Sequence, residues 1–172
     1  MVVPIIIYGS SVLRQKSNDL EGNDDIISLA VNMKETLRNA GGLGLAAPQV
    51  GLLKNIFVID TSPLEDEGIK QIQRAYINPE ILNFGDDHVY YNEGCLSIPE
   101  IFEDVHRPEK IEVRYRDEQY NLHEEILDGL IARIYQHEYD HLEGILFVDR
   151  LSSLRRKLIR SKLNHLKRTT KR

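Results

Sequence analysis

The segment Gln136-His137-Glu138-Tyr139-Asp140-His141 constrains this chain more than any other, because its two histidines share an ion only if the backbone between them is helical. Four residues turn an α-helix through about 400° and advance it about 6 Å, so His137 and His141 fall on one face, one turn apart. Glu138 lies about 100° round from His137. It stands near any ion the pair holds and can take a proton from bound water. The periodicity predicts a helix over about 128–142, with Leu130 and Ile134 on the histidine stripe, Asp128 placed to cap its start and Gly144 just past its end. That stripe mixes core and chemistry, which makes this the central helix.

Two further stretches read as helices. Over 24–40, Ile26, Ile27, Ala30, Met33, Leu37 and Ala40 recur at helical intervals, with Asn23 or Asp24 as cap and Gly41 and Gly42 as stop. Over about 153–167, Leu154, Leu158, Ile159, Leu163 and Leu166 form the apolar side of a basic helix. Strand-like runs lie at 4–8, 55–60, 75–82, 87–91, 110–116 and 120–126. The polar residues Asp117 to Gln119 form a hairpin turn between the last two, and 61–74 is an exposed excursion. With few helices between strands, the fold class is α+β with mostly antiparallel strands. At 172 residues, without repeats or linkers, residues 1–172 are expected to form one domain.

Cys95 is the only cysteine, which excludes an intramolecular disulfide and fits a reducing compartment. No apolar run is long enough to cross a bilayer, and the N-terminal stretch has no basic residue ahead of its apolar ones, so a cytoplasmic address and no membrane partner are expected. Catalytic ions usually take three protein ligands and leave the next position to water. Cys95, in Glu93-Gly94-Cys95-Leu96-Ser97, is the natural third donor, a thiolate suited to iron, zinc or nickel; its alternative is a small buried hydrophobe. A third segment, Gly42 to Gln49, alternates glycine and leucine, so a ligand can approach its backbone closely. It has neither the Lys-Ser/Thr ending of a phosphate loop nor the third glycine of a dinucleotide fold.

In this order GLGLAAPQ (42–49), EGCLS (93–97) and QHEYDH (136–141) closely resemble the three motifs of the peptide deformylases, and the likeness extends over nearly the whole chain. The resemblance implies removal of the formyl group from the N-terminal formyl-methionine of new polypeptides, releasing formate. It assigns one divalent metal ion to Cys95, His137 and His141, with Fe(2+) favoured because the family commonly uses it, and Zn(2+), Ni(2+) or Co(2+) compatible. Glu138 becomes the general base, and Gln49 and the backbone N–H of Leu96 become donors to the oxyanion. It further implies an apolar methionine pocket, for which Leu43, Leu130 and Ile134 are placed by position, with Gly44 pairing the peptide backbone. Arg133, one turn before His137, either meets the far side of the peptide or is a solvated helix residue. Glu93 and Arg107 are expected to pair and hold the Cys95 loop.

Charge is unevenly distributed. Residues 1–153 hold all 27 acids against 13 Lys and Arg, whereas 154–172 hold nine Lys and Arg and no acid. The acidic body argues against DNA as a partner, while the basic helix resembles the segment by which bacterial members of the family dock on the ribosome. A monomer is expected. Two other readings are a zinc peptidase of the H-E-x-x-H type and a binding module whose ion is closed off by a fourth ligand, His88, His106 or His123. His165 is read as a surface residue.

Overall fold

The computed structural model describes residues 1–22 and 24–169. Helix α1 spans Ile26–Ala40 and buries Ile26, Ala30, Met33 and Leu37, while Ile27 and Ala40 of the expected stripe face outward. Its cap is Asp25, whose carboxylate accepts the Ser28 N–H, not Asp24, which binds the Glu21 N–H instead; Asn23 lies outside the described residues. Gly41 ends the helix at φ 69°, a left-handed conformation that glycine adopts without a Cβ clash.

A five-stranded antiparallel sheet follows: β1 (Gly44–Ala46), β2 (Ile56–Asp60), β3 (Gln73–Phe84), β6 (Lys110–Arg116) and β7 (Leu122–Asp128), adjacent in that order. Helix α2, Gly129–Leu142, covers one face, where Ile131, Ala132 and Tyr135 meet Phe57, Ile59, Tyr76 and Val113. Helix α1 covers the other, against Ile56, Val58, Ala75 and Ile77. This two-sided cover explains why β2 is buried at every position instead of alternating.

The remaining strands, β4 (His88–Cys95) and β5 (Ile98–Pro108), form a separate antiparallel hairpin. β5 is absent from the sequence reading, and β4 runs four residues further than predicted. The stretch IPEIFEDVHRP carries two prolines and several charges, so it reads as loop. In the fold Ile101, Glu103, Val105 and Arg107 alternate inward, the two charged ones being paired with Arg155 and with Glu93 and Asp140.

Three other expectations change. Residues 4–8 are not a strand; Ile6 and Tyr8 donate their N–H groups to the carbonyls of Gln49 and Ser97, each at 2.8 Å, and so tie two motif segments together. The turn after β6 is longer than predicted, with Tyr120 at φ 66° in the position where glycine is usual and the Asp117 carboxylate accepting the N–H groups of Gln119 and Asn121; β7 therefore starts at 122. The 61–74 excursion is closed at a buried neck by Thr61 and Ile72, which exchange hydrogen bonds.

Helix α3, Ser153–Thr169, seats Ile159 and Leu163 in a third apolar cluster with Leu13, Ile101, Val105 and Phe147. Leu154 and Leu158, expected on that same apolar side, are 66% and 64% exposed. Among the described residues no helix is long and apolar enough to cross a membrane.

Candidate metal centre

Helix α2 presents His137 and His141 to the last residue of β4, Cys95, and the donor atoms of the three lie within 4.8 Å of one another. Cys95 Sγ is 3.2 Å from His141 Nε2. The Nδ1 atom of His137 is engaged by the Glu93 carboxylate at 2.9 Å, which leaves its Nε2 for the shared point. Burial holds His141 well below the usual imidazole range, hence neutral and able to ligate. No fourth protein donor joins them among the described residues: the rings of His88 and His106 lie tilted, 5.1 Å apart, on the exposed hairpin, His123 pairs with Asp117, and His165 is exposed on α3.

Glu138 is buried beside this group, and its Oε2 has no hydrogen-bond partner among the described residues. Burial pushes its carboxyl up to about 7. Room for it exists because position 44 lacks a side chain. A Cβ there would sit 2.8 Å from Glu138 Cγ and Cδ and closer still to Oε1. Gln49 lies in the short turn after β1, where its Oε1 accepts the Ala46 N–H at 2.8 Å. That bond fixes the amide so that Nε2 points to Ser97 Oγ (3.2 Å) and Cys95 Sγ (3.5 Å).

Behind these three residues lies a buried charge cluster. Arg107 grips both oxygens of Glu93 at 2.7 and 3.0 Å, and its third nitrogen reaches Asp140 at 2.7 Å. Burial raises the Glu93 pKa, but the hydrogen bonds from His137 and Arg107 outweigh it and hold the carboxylate below its usual range.

A cavity of about 430 Å³ opens onto this centre. All five residues placed at the substrate from sequence, Leu43, Gly44, Leu130, Arg133 and Ile134, line it, as does Leu96. Arg133 is not a solvated helix residue. It is 4% exposed and gives hydrogen bonds to Glu93 and to the Val105 and Val89 carbonyls, clamping α2 to the hairpin. The sequence reading missed Tyr91 and Phe102 at the cavity, Ser97 against Gln49, and Asp140 within the helix. Asp140 carried a signal, since it stands inside the motif itself, one residue before a ligand.

One cysteine sulfur and two imidazoles converge beside a buried carboxylate oxygen that has no partner among the described residues, with a cavity opening onto them, the arrangement that metal-dependent hydrolases use. Residues 2–157 match the family described as polypeptide deformylase. The peptide deformylase of Cytophaga hutchinsonii is 47% identical over 167 residues, covering 96% of this chain and 91% of that one. Among solved structures, a peptide deformylase of Plasmodium falciparum superposes with a TM-score of 0.88 at 35% identity, over 97% of this chain and 96% of its own. That of Synechococcus elongatus, solved in complex with actinonin, gives 0.81 at 41% identity, over 95% and 85%. This chain belongs to the polypeptide deformylase family. It is a hydrolase that removes the N-terminal formyl group from nascent peptides, and its family is metal-dependent.

Proposed function

We propose that Cys95, His137 and His141 hold one divalent ion, ferrous iron by the family's usual preference, with zinc, nickel and cobalt suited to the same donors. The donor set fits such an ion: with Nδ1 of His137 held by Glu93, the three donor atoms lie within 4.8 Å of one another, and His141 is neutral. Bound there, the ion would polarise the formyl carbonyl and lower the pKa of water towards neutrality. Glu138 takes the proton of the attacking water and returns it to the departing amine. A carboxyl whose pKa lies near the working pH serves both directions. Gln49 Nε2 and the Leu96 N–H donate to the formyl oxygen as negative charge builds on it, each worth about 3 kcal/mol in the transition state.

The methionine side chain enters the cavity between Leu43, Leu130 and Ile134, while the peptide backbone pairs along the open edge of β1 at Gly44. Arg133 lines this pocket; three of its N–H groups are already engaged by Glu93, Val105 and Val89. Glu93 and Arg107 orient His137 and hold the Cys95 loop. The chain works as a single domain and a monomer in the cytoplasm, and the basic helix α3 docks it on the ribosome.

The observation that carries this reading is the buried, unpartnered Glu138 oxygen beside three converging donors. The test is anaerobic formate release from a formyl-Met peptide, with metal analysis of the same sample. Glu138→Gln is expected to keep the ion and lose at least about 100-fold in turnover. Gln49→Leu is expected to lose a comparable amount with metal content unchanged. Full activity in either variant removes that residue from its assigned role.

A further inference from the structure

The turn Phe147–Arg150, which follows α2, comes back to the metal centre by two routes. Its first residue, Phe147, is buried and stacks on the His137 ring, with centroids 5.9 Å apart and planes at 27°. Its last residue, Arg150, grips both oxygens of Asp140. Asp140 also accepts from Arg107 at 2.7 Å, Arg107 holds Glu93 in a two-pronged pair, and Glu93 meets His137 Nδ1 at 2.9 Å. Charges alternate along this chain of contacts, from plus at Arg150 to minus at Glu93. Side-chain exposure falls from 41% at Arg150 to 4% or less at Asp140, Arg107 and Glu93.

We infer that the turn Phe147–Arg150 is a positioning element for His137: Phe147 covers the face of the ring, and Arg150 acts on its Nδ1 edge through Asp140, Arg107 and Glu93. Glu93 by itself has several rotamers open to it; in the fold Arg107 and Arg133 both donate to one of its oxygens and His137 faces the other. Arg107 settles the choice by presenting two nitrogens at fixed separation. Arg107 is a long side chain with a buried guanidinium, and Asp140 fixes its third nitrogen. Asp140 leaves the α2 backbone only three residues after His137, so its rotamer is set from outside the helix, by Arg150. If any link is lost, a buried charge is left short of a partner next to a ligand, and the imidazole loses its fixed direction.

This inference rests on His137 being a ligand, and the experiment separates the two. Wild type, Cys95→Ser, Asp140→Asn, Arg150→Met and Arg150→Lys are loaded anaerobically with Zn(2+). Transfer of the ion to a chromophoric chelator is timed, and exchange of the His137 Nδ1 proton is followed by NMR. Asp140→Asn is expected to release the ion about tenfold faster, Arg150→Met faster by a smaller factor, and Arg150→Lys close to wild type, with Nδ1 proton exchange accelerated in the same order. Arg150 is partly exposed, so Arg150→Met decides the matter should Asp140→Asn fail to fold. Wild-type release and proton exchange in Arg150→Met, even with a lower unfolding midpoint of the metal-free protein, would reduce the turn to a scaffold and overturn the inference. Wild-type release from Cys95→Ser would overturn the ligand assignment, and the inference with it. Fast release from Cys95→Ser beside unchanged Arg150→Met and Asp140→Asn sinks the positioning role alone.

Discussion

Gly44 shows how one missing methyl group sets the chemistry of a residue ninety-four positions away. Its strand passes so close to α2 that only a hydrogen leaves space for the Glu138 carboxylate. In Gly44→Ala the far end of the Glu138 side chain must move while the strand holds, because the register Gly44↔Ile59 is fixed by β2. Displacement on the ångström scale costs about 100-fold in a positioned reaction. Formate release is therefore expected to fall by roughly that factor, with metal content and thermal unfolding near wild type; undiminished release would show that Glu138 has slack. Asp60 provides a residue-scale test of stability. Burial raises its pKa, but hydrogen bonds from Ser62, Gln73 and Arg38 outweigh this, so the folded value lies below the ordinary one. A depressed folded pKa contributes stability that is complete above the unfolded value, about 3.9, and is lost as pH falls through the folded value. The stability gap between wild type and Asp60→Asn in urea unfolding is expected to be flat from about pH 5 to 7 and to shrink below about pH 4. A gap that widens on acidification would contradict this sign.

At the scale of elements, α3 divides its leucines in a way that periodicity alone does not reveal. Ile159 and Leu163 enter the third cluster, while Leu154 and Leu158, one turn apart on the same helix, stay mostly exposed. Leu163→Ala is expected to cost about 2–4 kcal/mol and Leu158→Ala no more than about 0.5, measured by denaturant unfolding of the full chain. Equal losses would mean that the exposed leucines are covered. Helix α2 was legible because its histidine spacing and apolar stripe demand the same 3.6-residue period. Strand β5 was not, because Glu103 and Arg107 look like solvent-facing residues until Arg155, Glu93 and Asp140, 14 to 52 positions away, supply their partners. Of the two readings of Arg133, solvated charge and pocket residue, the first fails for the same reason: its acceptors are a carboxylate and two carbonyls of the hairpin.

For the whole molecule, the acidic body and the basic C-terminal helix give opposite fields within one chain. Docking through α3 is best tested without deleting it, since truncation would strip Ile159 and Leu163 from their cluster. Charge reversal of the exposed Arg156, Lys157 and Arg160 is expected to abolish low-salt co-sedimentation with ribosomes and leave formate release from a short formyl peptide intact. Undiminished co-sedimentation would exclude docking through these residues. From sequence alone came the candidate donors Cys95, His137 and His141, Glu138 beside them and the central helix, because helical periodicity and donor chemistry are local properties of the chain. Only tertiary structure decided which charges are buried and what steadies them: that Arg133 and Arg107 converge on Glu93, that Asp140 is shared with Arg150, and that Gly44 yields its space to Glu138. A buried charge is tolerated only where a partner meets it, and its partners here come from segments that the linear order keeps far apart.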